Sequence, residues 1–168
     1  KTDITHSAQI KRMLAHVKKS FGKIDILVNN AGAFSNLGLP FTNTTEEDWE
    51  RVWKINVKST FLLSKAVAPH FMEQKSGRII NISSIAALLS SSIQPAYSAA
   101  KMAVITITKI TARDLAPYGV TVNAIAPGLV WTPSWEGLAE KMKLVTPALA
   151  SLSAREIFDK KVAEIVPL

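Results

Sequence analysis

Apolar residues follow two alternating rhythms along this chain. Three short runs, Ile24 to Val28, Arg78 to Ile82 and Val120 to Ile125, are rich in Ile and Val, too short for a helix, and ended by polar or Gly/Pro residues. They predict buried strands. Between them lie longer stretches with helical spacing: Ser7 to Ser20, Glu46 to Gln74 with a break near Asn56, and Ala96 to Ala116. Strands separated by helices of this length predict βαβ units and an α/β fold whose parallel sheet is covered on both faces.

Punctuation residues support these boundaries. Thr45 with Asp48, and Ser153 with Glu156, have the spacing of a capping box. Gly22, Gly77 and Gly119 each stand between a helical stretch and the next strand, where a left-handed residue is expected to end the helix. The Ala96 to Ala116 helix carries apolar or small residues on every face, whereas a helix lying on a sheet needs one. Its second apolar face predicts burial against another subunit, hence a homo-oligomer, dimer or tetramer.

Composition narrows the class. With 48% hydrophobic and 20% charged residues, the chain has enough apolar material for one substantial core, and residues 1–168 are expected to form a single domain. The lack of cysteine excludes a disulfide framework and thiolate chemistry, fits a reducing compartment, and makes the cytoplasm the expected location. No apolar run approaches the ~18 residues of a membrane span, so no membrane partner is expected. The start, Lys1-Thr2-Asp3-Ile4-Thr5, has neither an initiator Met nor a signal-peptide layout and reads as the middle of a longer chain. The net charge of +7 is spread over Lys11, Arg12, Lys18, Lys19, Lys141, Lys143, Arg155, Lys160 and Lys161, with no basic stripe among aromatics, so no nucleic-acid partner is predicted. His6, His16 and His70 are scattered, without a ligand motif, and no catalytic metal is expected.

In an open parallel α/β sheet, ligands bind beyond the carboxyl ends of the strands. The turns at those ends are Asn29-Asn30-Ala31-Gly32, Ser83-Ser84-Ile85-Ala86 and Pro127-Gly128-Leu129-Val130, all rich in small or polar residues. The helix beginning near Ala96 brings Tyr97 toward the same crevice, with Lys101 four residues on, on the same face. A tyrosine has an ordinary pKa of about 10, and lowering it to neutrality needs roughly 4 kcal/mol of phenolate stabilisation. A lysine ammonium one turn away is expected to supply part of that, which makes Tyr97 a candidate acid/base. Taken alone, a Tyr and Lys four apart are also an ordinary helix-surface pair. Their combination with the serine pair and the two turns favours chemistry.

These residues resemble the short-chain dehydrogenases/reductases. The resemblance rests on Asp3, Asn29-Asn30-Ala31-Gly32, Asn56, Ser84, Tyr97 with Ser98-Ala99-Ala100-Lys101, and Pro127-Gly128 through Thr132. It implies a doubly wound, Rossmann-type sheet and an oxidoreductase moving a hydride between NAD or NADP and a small carbonyl or secondary-alcohol substrate. Tyr97 would exchange the proton, Ser84 would hold the substrate oxygen, and Ser83 would be structural. Lys101 would bind the nicotinamide ribose and tune Tyr97, while Asn56 would hold a relay water. Asn30, Ala31 and Gly32 would line the adenosine side with Asp3 near the adenine, and Pro127, Gly128, Val130 and Thr132 would meet the carboxamide.

The departure from the family lies at the ends. No G-x-G-x-x-G turn is present, and the chain closes at Val166-Pro167-Leu168 where the family continues, so an internal piece of the fold, incomplete at both ends, is expected. An exposed edge beside the Ile24 to Val28 strand, weak cofactor binding and a tendency to associate follow. From Trp131 to Ala150, the residues Trp131, Trp135, Leu138, Met142 and Leu144 form either an apolar lid over substrate or an ordinary amphipathic helix. Gln94 either touches substrate or shapes the turn with Pro95, whereas Trp49 and Trp53 are expected in the core. Two other readings remain: a hydrolase using Ser84 with Lys101, which lacks a G-x-S-x-G elbow, and a non-catalytic binding protein or inactive fragment of the same fold.

Overall fold

The computed structural model describes residues 1–35, 41–91 and 94–165, so Val166 to Leu168 lie outside the described residues. Three parallel strands, β1 (Ile26–Asn29), β2 (Gly77–Ile82) and β3 (Val120–Ile125), pair in the order β1-β2-β3. Val28 faces Ile80 and Ile80 faces Asn123, which brings the carboxyl ends of all three strands level. Helix α1 (Ser7–Phe21) precedes β1. Helices α2 (Glu46–Trp53) and α3 (Ser59–Gln74) connect β1 to β2, and α4 (Ala86–Leu89) with α5 (Pro95–Leu115) connects β2 to β3. Helices α6 (Pro133–Val145) and α7 (Ala154–Ile165) follow β3.

Helices α1, α3 and α5 lie on one face of the sheet, over a core of Ile10, Leu14, Leu63, Val67, Phe71, Ile79 and Val122. Burial alternates along each strand: Asn29, Ile79, Asn81, Val120 and Val122 are buried, while Ile26, Val28 and Ile125 are more than half exposed. The expectation of a sheet covered on both faces therefore does not hold among the described residues. The cause is topological. Right-handed crossovers put every helix on the same side while the strand order runs in one direction, and these three strands contain no reversal. They form one wing of the doubly wound fold, with β1 at its edge.

Helix ends follow the predicted punctuation with one exception. Gly22 (φ 81°) and Gly119 (φ 70°) take left-handed conformations, but α3 ends on Lys75 (φ 50°) and not on Gly77. Gly77 is needed for space: a Cβ there would sit 2.3 Å from the Phe71 ring. The Thr45 oxygen accepts from Asp48 N (3.2 Å), and Ser153 and Glu156 bond reciprocally, as the two capping boxes require.

The segment from Trp131 onward packs as helices on each other. Leu138, Ala139, Met142, Leu149 and Ile157 form a separate cluster with Trp135 against it, while Leu144 is 85% exposed. No described helix is long and apolar enough to cross a membrane.

Candidate active site

The predicted break near Asn56 is a widened turn. Residues Lys54–Lys58 form a π-helical segment that joins α2 to α3 without interrupting the helix. A π turn releases backbone carbonyls from their helical partners, and side chains take them up here: Asn56 Nδ2 donates to Val52 O (2.9 Å), Ser59 Oγ to Ile55 O, and Thr60 Oγ1 to Asn56 O (2.8 Å). Asn56 is 1% exposed, and its Nδ2 also donates to Ala33 O (2.8 Å) beyond the β1 turn. Its Oδ1 is buried and has no partner.

Glycine at position 32 lets the turn after β1 approach this group. A Cβ there would lie 2.8 Å from Asn56 Oδ1 and 3.3 Å from Lys101 Nζ, so Gly32, Asn56 and Lys101 meet at one point. Lys101 is nearly fully buried, and Nζ donates to Ile82 O (2.8 Å) at the end of β2. The same Nζ lies 5.5 Å from the centroid of the Tyr97 ring. Ser84 stands near enough to the Tyr97 hydroxyl to oppose the effect of burial on it, and Ser84 Oγ accepts from Ala86 N (3.1 Å). Ser83, as expected of its orientation, is buried and donates to Lys101 O (2.8 Å). Beneath the site, Asn29 Nδ2 donates to Asn81 Oδ1 (2.7 Å) and Asn81 Nδ2 to Thr108 Oγ1 (2.8 Å), which locks the strand ends to α5.

The electrostatics differ from the sequence expectation. Burial pushes the Tyr97 hydroxyl above its ordinary value, and Ser84 offsets only part of that. Burial likewise lowers Lys101 to about 8. In the protein alone, burial thus disfavours the charged form of each group. Tyr97 is held as a neutral hydroxyl.

The remaining predicted residues divide into two sets. Asn30, Ala31 and Gly32 are solvent-accessible on the open side of the site. Pro127 O accepts from Ile85 N (2.9 Å), which ties the Pro127-Gly128 turn to the Ser84 turn, and Val130 is 57% exposed. Gln94 is buried at the start of α5 with Oε1 unpartnered. By contrast, Asp3 Oδ1 accepts from Thr5 N and Oγ1 (both 2.8 Å), so its hydrogen bonds go to the approach to α1. Thr132 Oγ1 caps α6 through Trp135 N (3.2 Å). Trp131 packs edge-on against Phe158 (5.2 Å), with Arg155 over its ring.

Two residues that the sequence patterns did not single out complete the site. Ser35 is 4% exposed, and its Oγ accepts from Tyr97 N (3.1 Å), capping α5 from a distant loop where Gln94 makes no side-chain cap. The Phe34 ring lies 4.8 Å from that of Tyr97, and Phe34 O accepts from Arg51 Nη2 (2.7 Å). The available signal was an aromatic-serine pair directly after the Asn-Asn-Ala-Gly turn.

Comparison with known proteins places this arrangement. Residues 1–143 match the sequence profile described as short chain dehydrogenase. The 3-oxoacyl-[acyl-carrier-protein] reductase FabG of Thermotoga maritima is 38% identical over 141 residues, 84% of this chain and 56% of that protein. The (2S)-[(R)-hydroxy(phenyl)methyl]succinyl-CoA dehydrogenase subunit BbsD of Thauera aromatica is 43% identical over 139 residues, 83% of this chain and 55% of that protein. A crystal structure of NAD+-bound xylitol dehydrogenase superposes with a TM-score of 0.82 at 36% identity, covering 86% of this chain and 56% of that one. The chain spans about half the length of the curated relatives it matches. With the profile running from its first residue to beyond the turn after β3, the chain belongs to the short chain dehydrogenase family.

Proposed function

We propose that the protein is an NAD- or NADP-dependent oxidoreductase acting on a carbonyl or secondary alcohol, with Tyr97 as its acid/base. The observation that carries this reading is the meeting of Gly32, Asn56 and Lys101 beside the buried Tyr97, with Ser84 near its hydroxyl. The donor set fits the nicotinamide ribose: the space at Gly32 admits no side chain, and Asn56 Oδ1 is a buried acceptor awaiting a donor. Lys101 would hold the ribose hydroxyls, with Asn30, Ala31 and Gly32 toward the adenosine and Pro127, Gly128 and Val130 toward the carboxamide. When bound, the nicotinamide supplies or takes up the hydride.

The protein residues supply the proton and the geometry. Ser84 donates a hydrogen bond to the substrate oxygen and holds it beside the Tyr97 hydroxyl. Tyr97, kept neutral by burial, gives its proton to that oxygen as carbonyl becomes alcohol, and takes it back in the reverse direction. Asn56 Oδ1 accepts from a water that passes protons toward Lys101. The 3-oxoacyl and hydroxy(phenyl)methyl groups in the relatives' names belong to the same carbonyl and alcohol class. Asp3 lies near the adenine and Gln94 at the substrate in this reading.

A homo-oligomer in the cytoplasm is the second part of the proposal. A groove of about 600 Å³ between the π segment and α5, lined by Trp53, Val57, Phe61 and Ile107 together with Glu50, Lys54 and Lys58, supports this reading. Light scattering on the purified protein is expected to give a dimer or tetramer. The activity is tested by following NADH and NADPH absorbance with a panel of ketones, sugars and alcohols. No turnover with any pair, while cofactor still quenches tryptophan fluorescence, would favour a non-catalytic binding protein.

A further inference from the structure

Phe34 is 40% exposed, and its ring leans on Tyr97 at 4.8 Å with the planes tilted by 41°. The segment that presents it is fastened on three successive residues. Ala33 O accepts from Asn56 Nδ2 (2.8 Å), Phe34 O from Arg51 Nη2 (2.7 Å), and Ser35 Oγ from Tyr97 N (3.1 Å). Arg51 is itself oriented by the buried Asp48 carboxylate (2.6 Å). The ring is thus partly in solvent, presented by a fastened segment against the proposed acid/base.

Resting on the oxidoreductase reading above, we propose that Phe34 is a specificity-determining and positioning residue. Its ring walls one side of Tyr97 and sets how bulky a substituent can lie beside the reacting carbon. A carbonyl flanked by a methyl or unbranched chain fits beside this wall, and a branched flank collides with it. The same contact shields the Tyr97 hydroxyl from water. The charged and polar groups around that hydroxyl are Lys101 on its own helix, Ser84 from the β2 turn, and the Arg51–Asp48 pair behind Phe34.

The test compares kcat/KM for ethyl pivaloylacetate, branched beside the ketone, with that for ethyl acetoacetate. Phe34→Ala is expected to raise this ratio by about tenfold or more, the scale of a few methylene groups in an apolar pocket. Phe34→Tyr, which restores the wall, is expected to keep the wild-type ratio and shows that the effect is not loss of fold. The phenolate absorbance step that Tyr97→Phe abolishes is expected to titrate at lower pH once Phe34 is Ala. If the wild type turns over and Phe34→Ala leaves the ratio unchanged, the proposal is overturned while the oxidoreductase reading stands. If the wild type turns over nothing, that reading fails, and the Tyr97 titration alone decides whether Phe34 governs its environment: no shift overturns it.

Discussion

Around Tyr97 the groups that hold geometry are polar and buried: Asn29, Asn56, Asn81, Ser83, Lys101 and Thr108 are each at most 6% exposed. In the α6–α7 hairpin the corresponding work is done by Leu138, Met142, Leu149 and Ile157, while its hydrogen-bonded side chains, such as Ser153, Glu156 and Arg155, lie at the surface. Buried hydrogen bonds are directional and costly to leave unmade, so they define one arrangement sharply. Apolar contacts stabilise without fixing direction. The proton-transfer side of the molecule is therefore rigidly specified, and the segment beyond the Pro127-Gly128 turn is free to differ in position without losing its own packing.

Replacing Tyr97 tests the first half of this contrast. Tyr97→Phe is expected to lower kcat/KM by about 10²–10⁴-fold, the range that general acid/base groups contribute. The unfolding midpoint in urea should change little, because the ring and its packing remain. Full activity in Tyr97→Phe would sink the mechanism.

Cavity substitutions in the two apolar clusters test the second half. Phe71→Ala, fully buried between α3 and β2, is expected to cost about 3–5 kcal/mol and to shift the whole unfolding transition. Ile157→Ala in the hairpin is expected to cost about 2–5 kcal/mol, but locally. Hydrogen exchange would then show α6 and α7 amides losing protection while β2 keeps its own. Equal loss in both regions would show one cooperative unit and break the comparison.

Much of this division was legible in the sequence. The three strands were found to within two residues, because short Ile/Val runs between glycines have few other uses. The Tyr97–Lys101 pair was visible as an i, i+4 spacing. A break near Asn56 was legible too, but not its form as a π turn, because that depends on a tertiary contact, the bond from Asn56 to Ala33 O. The uncovered sheet face depends on strand order, which local periodicity does not encode. The upward direction of the Tyr97 shift comes from burial, which the i, i+4 spacing does not encode. Nor does local spacing reveal that Trp131 packs on Phe158, far along the chain.

Lys101 gives a pH signature that only the polar region should show. Its folded value of about 8 lies below the ordinary 10.5, so between these limits the unfolded chain holds more protons. Stability therefore rises with pH across that window, by at most about 3 kcal/mol at 1.36 kcal/mol per unit. Tyr97 acts in the opposite sense above 10, since its raised folded value makes the unfolded chain release that proton first. Urea midpoints are thus expected to climb from pH 8 to 10 and then flatten. Lys101→Met should remove the climb, although Ile82 O loses its donor and offsets part of the gain at neutral pH. A wild-type profile flat from pH 8 to 10 would mean that Lys101 is solvated.

The smallest expected effect separates the regions at their helix starts. Ser153 N and Oγ donate to Glu156 Oε2 (both 2.7 Å), and Ser153 Oγ accepts from Glu156 N (3.2 Å), so two orphan donors at the start of α7 are satisfied by this pair. Ser153→Ala removes two of the three bonds and is expected to cost about 1 kcal/mol. The loss should appear as faster exchange in the first turn of α7, with kcat/KM unchanged, because no Ser153 contact reaches Tyr97. Thr45→Ala removes a cap of similar size from α2, the helix that continues into the turn holding Asn56 and carries the Arg51 that fixes Phe34. There the same cost should be accompanied by a measurable fall in turnover. Equal kinetic effects from the two caps would mean that the hairpin is coupled to the site as tightly as α2 is.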